Sequence, residues 1–296
     1  MIYWCCSVDM KYFDAHTHLN FVAYEADREE SVKRALEAGV GMNVVGTQKD
    51  TSAAAVALAE QYDDVYATIG LHPVHTAKSY HDVKELGPSF AEATEGKEGF
   101  MSRGEQFDIS NYERLGQNKK VIAIGECGLD YYRVEERTKD VQSKAFIEQI
   151  ELANKLNKAL MLHIRPALHS LGDGGNAYDD ALEILKAHAK VKGDVHFFAG
   201  DWDTAKKFLG FGFTLSFTGV ITFTNDYDEV IKNAPLDMIL SETDAPYVTP
   251  GPHRGKRNES AYIPLIVRRI AEIRGEDFFT VANQLMANAR RVFAVT

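Results

Sequence analysis

The chain has 296 residues, of which 45% are hydrophobic, and this is enough to build either two domains or one large α/β barrel. Its formal net charge of −10 argues against a broad basic surface for nucleic acid, although a short strand bound through local cations or metal ions remains compatible with it. Its cysteines, Cys5, Cys6 and Cys127, lack CxxC spacing, and no apolar run approaches the roughly 18 residues of a membrane span, so we expect a cytoplasmic protein without disulfides.

Short apolar runs alternate with amphipathic helical patterns along most of the chain. The runs that predict buried strands are Tyr12–Asp14, Gly41–Val45, Val65–Ile69, Val121–Gly125, Ala159–His163, Val195–Phe198, Thr214–Ser216 and Met238–Leu240. The clearest helical patterns are Glu29–Ala38, Thr51–Gln61, Arg137–Leu156, Tyr178–Ala189, Tyr262–Arg274 and Phe278–Ala287. Such alternation favours a parallel sheet, and no GxGxxG motif follows the first strand, as a dinucleotide-binding sheet requires. We therefore predict an α/β fold, a single-domain (β/α)8 TIM barrel over about residues 12–294.

Two segments interrupt this alternation. Residues Asp82–Gln117 are rich in Gly and Glu and are long for a connection, so they predict an insertion after the third strand that reshapes access to the barrel. The second segment, Leu171–Asn176, reads LGDGGN after the fifth strand. It does not match a phosphate-binding loop, because no GK[ST] follows it.

Histidines and carboxylates stand where several predicted strands end. They are His16, His18, Glu126, His163, His196 and Asp244. Parallel barrels build their active sites at these carboxyl ends. His16 and His18 are two residues apart, so both imidazoles point to one side of a strand, but an isolated HxH is more often a hydrogen-bonded surface pair. Two further imidazoles in apolar strands, His163 and His196, are difficult to explain by packing alone, because buried polar rings need partners.

Nitrogen and oxygen ligands of this kind suit divalent ions such as Zn²⁺, Mn²⁺ or Mg²⁺, and the sequence does not choose among them. Two such ions held roughly 3.5–4 Å apart activate water for attack on a phosphodiester. Asp244 could also accept a proton from that water. Strand alternation turns Cys127 away from Glu126, so we expect the cysteine to be a packing residue and not a ligand.

Five sequence blocks resemble the TatD-type metal-dependent deoxyribonucleases, a branch of the amidohydrolase-like barrels. The blocks are FDAHTHL at Phe13–Leu19, GLHP at Gly70–Pro73, GECGLDYYR at Gly125–Arg133, HIR at His163–Arg165, and SETDAPYVTP with RGKRNE at Ser241–Pro250 and Arg254–Glu259. The resemblance covers nearly the whole chain. It implies a two-metal hydrolase whose ligands are His16, His18, Glu126, His163, His196 and Asp244. It also implies that Glu126 bridges the ions, that Asp244 serves the hydrolytic water, and that His72 acts on substrate.

Several cations near predicted strand ends are candidates for phosphate contacts, to which arginine is well suited. They are Arg165, Arg254, Lys256 and Arg257, although the last three can equally form a solvated loop. One block departs from the family pattern, which resembles HCFSG. The chain has HFFAG from His196 to Gly200, so the family pattern does not predict which contacts are made near Ala199.

Three functions remain from the sequence. The first is a deoxyribonuclease of the 3′-5′ exonuclease type, with two divalent ions and a DNA substrate that is single-stranded or has frayed ends. The second is an amidohydrolase-type enzyme acting on a small-molecule ester, amide or phosphoester. Many of those barrels use a carboxylated lysine where this chain has Glu126, which favours the nuclease. The third is a metal-binding scaffold without turnover, which would have no use for Asp244 as a proton acceptor.

Overall fold

A computed structural model of the chain describes residues 10–77, 80–82, 99–101, 104–132, 137–167 and 176–295. Its main feature is an eight-stranded parallel sheet in the order β1-β2-β3-β6-β7-β8-β9-β10. These strands are β1 Tyr12–Thr17, β2 Val40–Val45, β3 Val65–Ile69, β6 Val121–Asp130, β7 Ala159–Arg165, β8 Gly193–Val195, β9 Thr214–Phe217 and β10 Ile239–Ser241. The sheet curves into a nearly closed barrel, which confirms the predicted (β/α)8 TIM barrel.

Helices follow the strands and cover the sheet. They are α1 Arg28–Glu37, α2 Lys49–Ala59, α3 Ile109–Gly116, α4 Arg137–Leu156, α5 Ala177–His188, α6 Trp202–Phe211, α7 Asp228–Asn233, α8 Ile263–Arg274 and α9 Phe278–Phe293. Three of them, α3, α6 and α7, were not predicted as distinct helices from the sequence. Among the described residues, no helix is both long and apolar enough to cross a membrane.

The segment predicted as an insertion, Asp82–Gln117, is described only in part. Strand β4 Tyr80–Asp82 ends where the segment begins, and it pairs antiparallel with β5 Gly99–Met101, while residues 83–98 between them lie outside the described residues. The last part of the segment is α3, which occupies the place of a barrel helix between β3 and β6. Asp108 caps this helix by accepting a hydrogen bond from the Asn111 backbone N–H. The bounds of the insertion stay a prediction.

The barrel closes between β1 and β10 through few backbone pairs. The backbone there forms one isolated parallel bridge, between Thr17 and Ala245. Side chains reinforce the seam, because the buried Asp14 carboxylate accepts hydrogen bonds from the Thr243 backbone N–H and hydroxyl, at 2.9 and 2.6 Å. Burial raises the pKa of Asp14 to about 7, although the Thr243 hydrogen bonds act in the opposite direction.

A large apolar core fills the space between the sheet and its surrounding helices. A second, smaller cluster packs α9 against residues of β1, β3, β6, β7 and β10. Cys127 belongs to the large core: it is fully buried, and its sulfur lies 3.7 Å from the Met161 carbonyl oxygen. Burial also raises the pKa of its thiol, so the residue packs and takes no part in the polar site beside it.

Candidate metal centre

All six residues predicted as metal ligands come together at the carboxyl ends of the barrel strands. Glu126 lies at their centre, within a continuous β6, while His16 and His163 lie in β1 and β7. The other three follow the ends of strands: His18 after β1, His196 after β8 and Asp244 after β10. His72, which was predicted to act on substrate, also joins this cluster, with its Nε2 atom 3.2 Å from Glu126 Oε1.

The two carboxylate oxygens of Glu126 face different imidazoles. Oε2 lies 3.4 Å from His16 Nε2 and 3.8 Å from His18 Nε2. Oε1 has three imidazole neighbours, and these are His72 Nε2 at 3.2 Å, His163 Nδ1 at 2.8 Å and His196 Nε2 at 3.3 Å. Glu126 thereby divides the cluster into two groups of donors. Asp244 belongs to the first group, because its Oδ1 atom is 3.4 Å from His18 Nε2.

The donor set fits divalent cations. Three overlapping groups have ligand atoms within 4.8 Å of one another: His16 with Glu126 and His196, His16 with His18 and Asp244, and His72 with Glu126 and His163. The His16 and His18 Nε2 atoms are only 3.1 Å apart, so their lone pairs repel unless a proton or a cation lies between or beside them. Imidazole nitrogens and carboxylate oxygens are ligands for Zn²⁺, Mn²⁺ and related ions.

Electrostatics keep both carboxylates of the cluster ionised. Burial alone would raise the pKa of Glu126, but the surrounding imidazoles, with His72 and His196 foremost, hold it well below its usual range. Burial opposes ionisation of Asp244 as well, and the His18 hydrogen bond and the His196 charge lower its pKa nevertheless. Negative charge is therefore available at the centre of the site at neutral pH.

Three imidazoles of the cluster, those of His18, His163 and His196, are each oriented by a partner behind the ring. His18 Nδ1 lies 2.9 Å from the Val45 carbonyl oxygen, and His163 Nε2 lies 2.9 Å from Asp130 Oδ2. His196 Nδ1 lies 3.2 Å from Glu242 Oε1. Such partners fix the tautomer and the ring orientation of a metal-binding histidine.

His163 is held between two carboxylates. Despite burial, which lowers it, hydrogen bonds from the ring to Asp130 and Glu126 raise the pKa of His163 to about 9. A proton on this ring and a cation at Nδ1 therefore compete for the same position beside Glu126.

Behind His196 lies a buried polar network. The Glu242 carboxylate accepts hydrogen bonds from the Phe197 backbone N–H and from the Ser216 hydroxyl, both at 2.7 Å. The Ser216 oxygen is also 2.6 Å from Asp194 Oδ2. A hydroxyl carries one hydrogen, so it cannot donate to both carboxylates, and one of the two acids must be protonated. Burial and the Glu242 charge raise the pKa of Asp194 to about 7, which favours the protonated form of Asp194.

A cavity of about 570 Å³ opens above the cluster and is lined by both polar and aromatic side chains. Six of the seven cluster residues contribute to its wall, and they are His18, His72, Glu126, His163, His196 and Asp244. Arg165 also lines the cavity, and its guanidinium stacks on the Tyr132 ring at 3.8 Å. This arrangement leaves the hydrogen-bonding edges of Arg165 available at the cavity mouth.

The other predicted phosphate-binding cations do not line this cavity. Arg254 stacks on the exposed Phe223 ring at 3.8 Å, and Lys256 is exposed. Arg257 forms two hydrogen bonds of 2.6 Å with the Asp27 carboxylate and one of 2.8 Å with the Ala23 carbonyl oxygen. Because its guanidinium is occupied in this way, the structure does not support Arg257 as a phosphate ligand.

Sequence comparison now identifies the family. The family model described as TatD related DNase matches residues 13–294. This chain belongs to the TatD family. A Bacillus subtilis relative, the uncharacterized metal-dependent hydrolase YabD, is 35% identical over 96% of this chain and 99% of its own. The 3′-5′ ssDNA/RNA exonuclease TatD of Pectobacterium parmentieri is 32% identical over 95% of this chain and 98% of its own.

A solved structure agrees with this assignment. The TatD homologue YJJV of Escherichia coli K12 superimposes with a TM-score of 0.77 and 26% identity, over 97% of this chain and 99% of YJJV. The chain is thus a metal-dependent hydrolase of the TatD family, with histidine and carboxylate clusters able to bind metal.

Two residues of this TatD site were missed from the sequence. His72 lies beside Glu126 and also lines the cavity, and its substrate role stays a prediction. Asp130 and Glu242 were not considered, although Asp130 ends a strand that also carries Glu126, and Glu242 stands two residues before Asp244. The strand-end position that singled out the ligands could have identified Asp130, whereas the contact of Glu242 with His196 depends on a residue 46 positions away.

Proposed function

We propose that this TatD-family protein is a nuclease that removes nucleotides from single-stranded or frayed DNA ends in the 3′-5′ direction. The observation that carries the proposal is the group of imidazoles and carboxylates around Glu126, on the floor of a cavity at the carboxyl ends of the strands. Residues with these donor atoms in this position are typical of metal-assisted hydrolysis.

Two ions form part of the proposal, because Glu126 presents its two oxygens to separate imidazole groups. His16, His18 and Asp244 would hold one ion, and His163 with His72 or His196 would hold the other. Glu126 would bridge them. Mg²⁺, Mn²⁺ and Zn²⁺ are the candidates, since nitrogen and oxygen ligands occur together.

When bound, such ions neutralise charge on a phosphodiester and lower the pKa of a water molecule. Asp244 acts as the proton acceptor in the proposed reaction, because it is ionised and lines the cavity beside His18. Asp130 and Glu242 hold the rings of His163 and His196 in place behind the reacting groups.

The substrate is proposed from the cavity wall and from the relatives. Arg165 can bind a phosphate through two parallel hydrogen bonds while its face stays stacked on Tyr132. The name of the Pectobacterium relative includes single-stranded DNA and RNA and gives the 3′-5′ direction. A single strand also suits an acidic protein, because its few local cations can contact only a short stretch of backbone. We further propose a cytoplasmic location, since a reducing compartment suits three cysteines without disulfide spacing.

The test is hydrolysis of 5′-labelled single-stranded and duplex DNA by metal-stripped protein, with Mg²⁺, Mn²⁺ or Zn²⁺ restored separately. A 3′-5′ exonuclease gives a ladder of labelled products that shortens with time and depends on added metal. Asp244→Asn and His163→Ala should abolish it, whereas Asp203→Asn, at a side chain 82% exposed, should not. Turnover of a small ester or phosphodiester without cleavage of DNA would refute the nuclease and favour the small-molecule hydrolase.

A further inference from the structure

Phe197 has an unusual backbone conformation directly beside the metal ligands. Its φ angle is +46°, in the left-handed region that disfavours any residue with a Cβ atom. Residues held in this region persist only where their surroundings fix them, and they concentrate in functional sites. Here the fixing contact is the Phe197 backbone N–H, which donates to Glu242 Oε1 at 2.7 Å. That oxygen is also the partner of His196 Nδ1, so one buried carboxylate orients both residues.

Because of this backbone conformation, the consecutive rings of Phe197 and Phe198 lie in different surroundings. Phe198 is 1% exposed and packs in the core beside Tyr178, with ring centroids 5.5 Å apart. Phe197 is only partly buried, and its side chain lines the cavity. A phenyl ring in the wall of an open cavity loses part of the stabilisation that full burial would give it. Its position is therefore more easily explained by a ligand that covers it than by folding.

The Phe197 ring lies close to the cluster. Its centroid is 6.1 Å from that of His196, with the ring planes 78° apart. A nucleotide with its phosphate at the cluster would therefore have its base near this ring. Tyr227 and Tyr247 line the same cavity, so its wall carries further aromatic rings. Aromatic rings bind the faces of unpaired bases with little regard to sequence.

We propose that Phe197 stacks on the base of the terminal nucleotide while its phosphodiester lies at the Glu126 cluster. The proposal rests on the nuclease function above and specifies how the enzyme recognises its substrate. Phe197 makes the contact that gives specificity. Glu242 is a positioning residue, because it holds Phe197 through the hydrogen bond from the Phe197 backbone N–H. A base inside a duplex has neighbours on both of its faces, so only a terminal or frayed base can stack on this ring.

The experiment compares two oligonucleotides that differ only in the terminal base: one has a 3′-terminal adenine and the other a 3′-terminal abasic site. We measure kcat/KM for both with wild type, Phe197→Leu and Phe197→Tyr, with the ion that supports activity. Wild type should prefer the adenine end by about tenfold, a typical effect of one stacked base. Phe197→Leu should lose this preference, so that the ratio of its two kcat/KM values approaches one, and Phe197→Tyr should retain the preference. Phe279→Leu, at an exposed ring on α9, is the matched control.

A second readout follows stacking without cleavage. In an Asp244→Asn background, a 3′-terminal 2-aminopurine should lose fluorescence on binding when residue 197 is Phe, and should keep it in the Phe197→Leu variant. An equal adenine preference in wild type and Phe197→Leu, or equal quenching in both, would overturn the stacking proposal and leave the nuclease intact. Absence of DNA cleavage and binding by wild type would instead refute the nuclease, and the stacking proposal with it.

Discussion

Arg257 was a phosphate-binding candidate, and the structure predicts a different effect of its removal. The guanidinium joins the loop after β10 to the start of α1 through Asp27 and Ala23, and it lies 4.2 Å from the Tyr24 ring centroid. We expect Arg257→Met to destabilise the fold and to leave DNA binding nearly unchanged. The aliphatic replacement keeps part of the packing on Tyr24 and removes the charge.

The expected loss follows from how exposed the pair is. Hydrogen bonds to charged groups contribute about 1.5–3 kcal/mol when they are shielded, and exposed ion pairs contribute about 0–1 kcal/mol. The Arg257 and Asp27 side chains are 29% and 34% exposed, so we expect a loss in the lower part of the shielded range, of about 2 kcal/mol. For a chain of this size, that corresponds to a decrease in Tm of about 4–6 °C.

A lower pH should reduce the loss of stability that Arg257→Met causes. The Arg257 hydrogen bond lowers the pKa of Asp27 from 3.8 to about 2, so its contribution is complete above pH 3.8 and is lost as the pH falls towards 2. Urea unfolding at pH 7 and at pH 3 measures the penalty of Arg257→Met at both values. Lys256→Met, which removes one charge from the same loop, is the control. An unchanged Tm for Arg257→Met, or weaker DNA binding than Lys256→Met shows, would refute this role.

Two further predictions concern the strand that carries Glu126. Asp130→Asn removes the negative charge behind His163 Nε2 and should weaken metal binding about 10- to 100-fold, as measured by competition with a chelating dye, with an unchanged circular dichroism spectrum. Equal metal affinity in the variant would show that Asp130 does not orient the ring. Gly128→Ala should prevent stable folding, because φ is +140° and a Cβ atom there would lie 2.1 Å from the His163 carbonyl oxygen. Gly255→Ala, at φ +84° with no atom within 4 Å, should cost only about 1–2 kcal/mol; similar Tm values for the two variants would contradict the steric argument.

Much of the fold could be predicted because buried parallel strands are short apolar runs, and these are visible without any knowledge of tertiary contacts. The bounds were less accurate where polar residues continue a strand. Strand β6 runs on to Asp130 through Glu126 and Gly128, beyond the predicted end at Gly125. Helix α3 was missed because it follows a long polar segment, and its helical pattern spans only two turns.

The ligands could be proposed from the sequence because strand ends converge in a barrel, whichever residues lie between them. Loop side chains follow no such rule. Arg165 and Arg257 looked equivalent in the sequence, but one lines the cavity and the other binds Asp27. Glu242 was overlooked for a related reason: its role depends on the distance to His196, a residue 46 positions away, and no local pattern encodes that distance.

The position of the metal centre at the seam between β1 and β10 has a consequence for the stability of the barrel. His16 and His18 belong to the first barrel strand and its end, and Asp244 follows the last, so the donors of one group lie on both sides of the least paired junction of the barrel. An ion bound there would link β1 to β10. It would add a connection at the place where few backbone pairs join the two strands. Removal of the ion by a chelator should then weaken the junction between β1 and β10, so that proteases cut the metal-free protein first near these two strands.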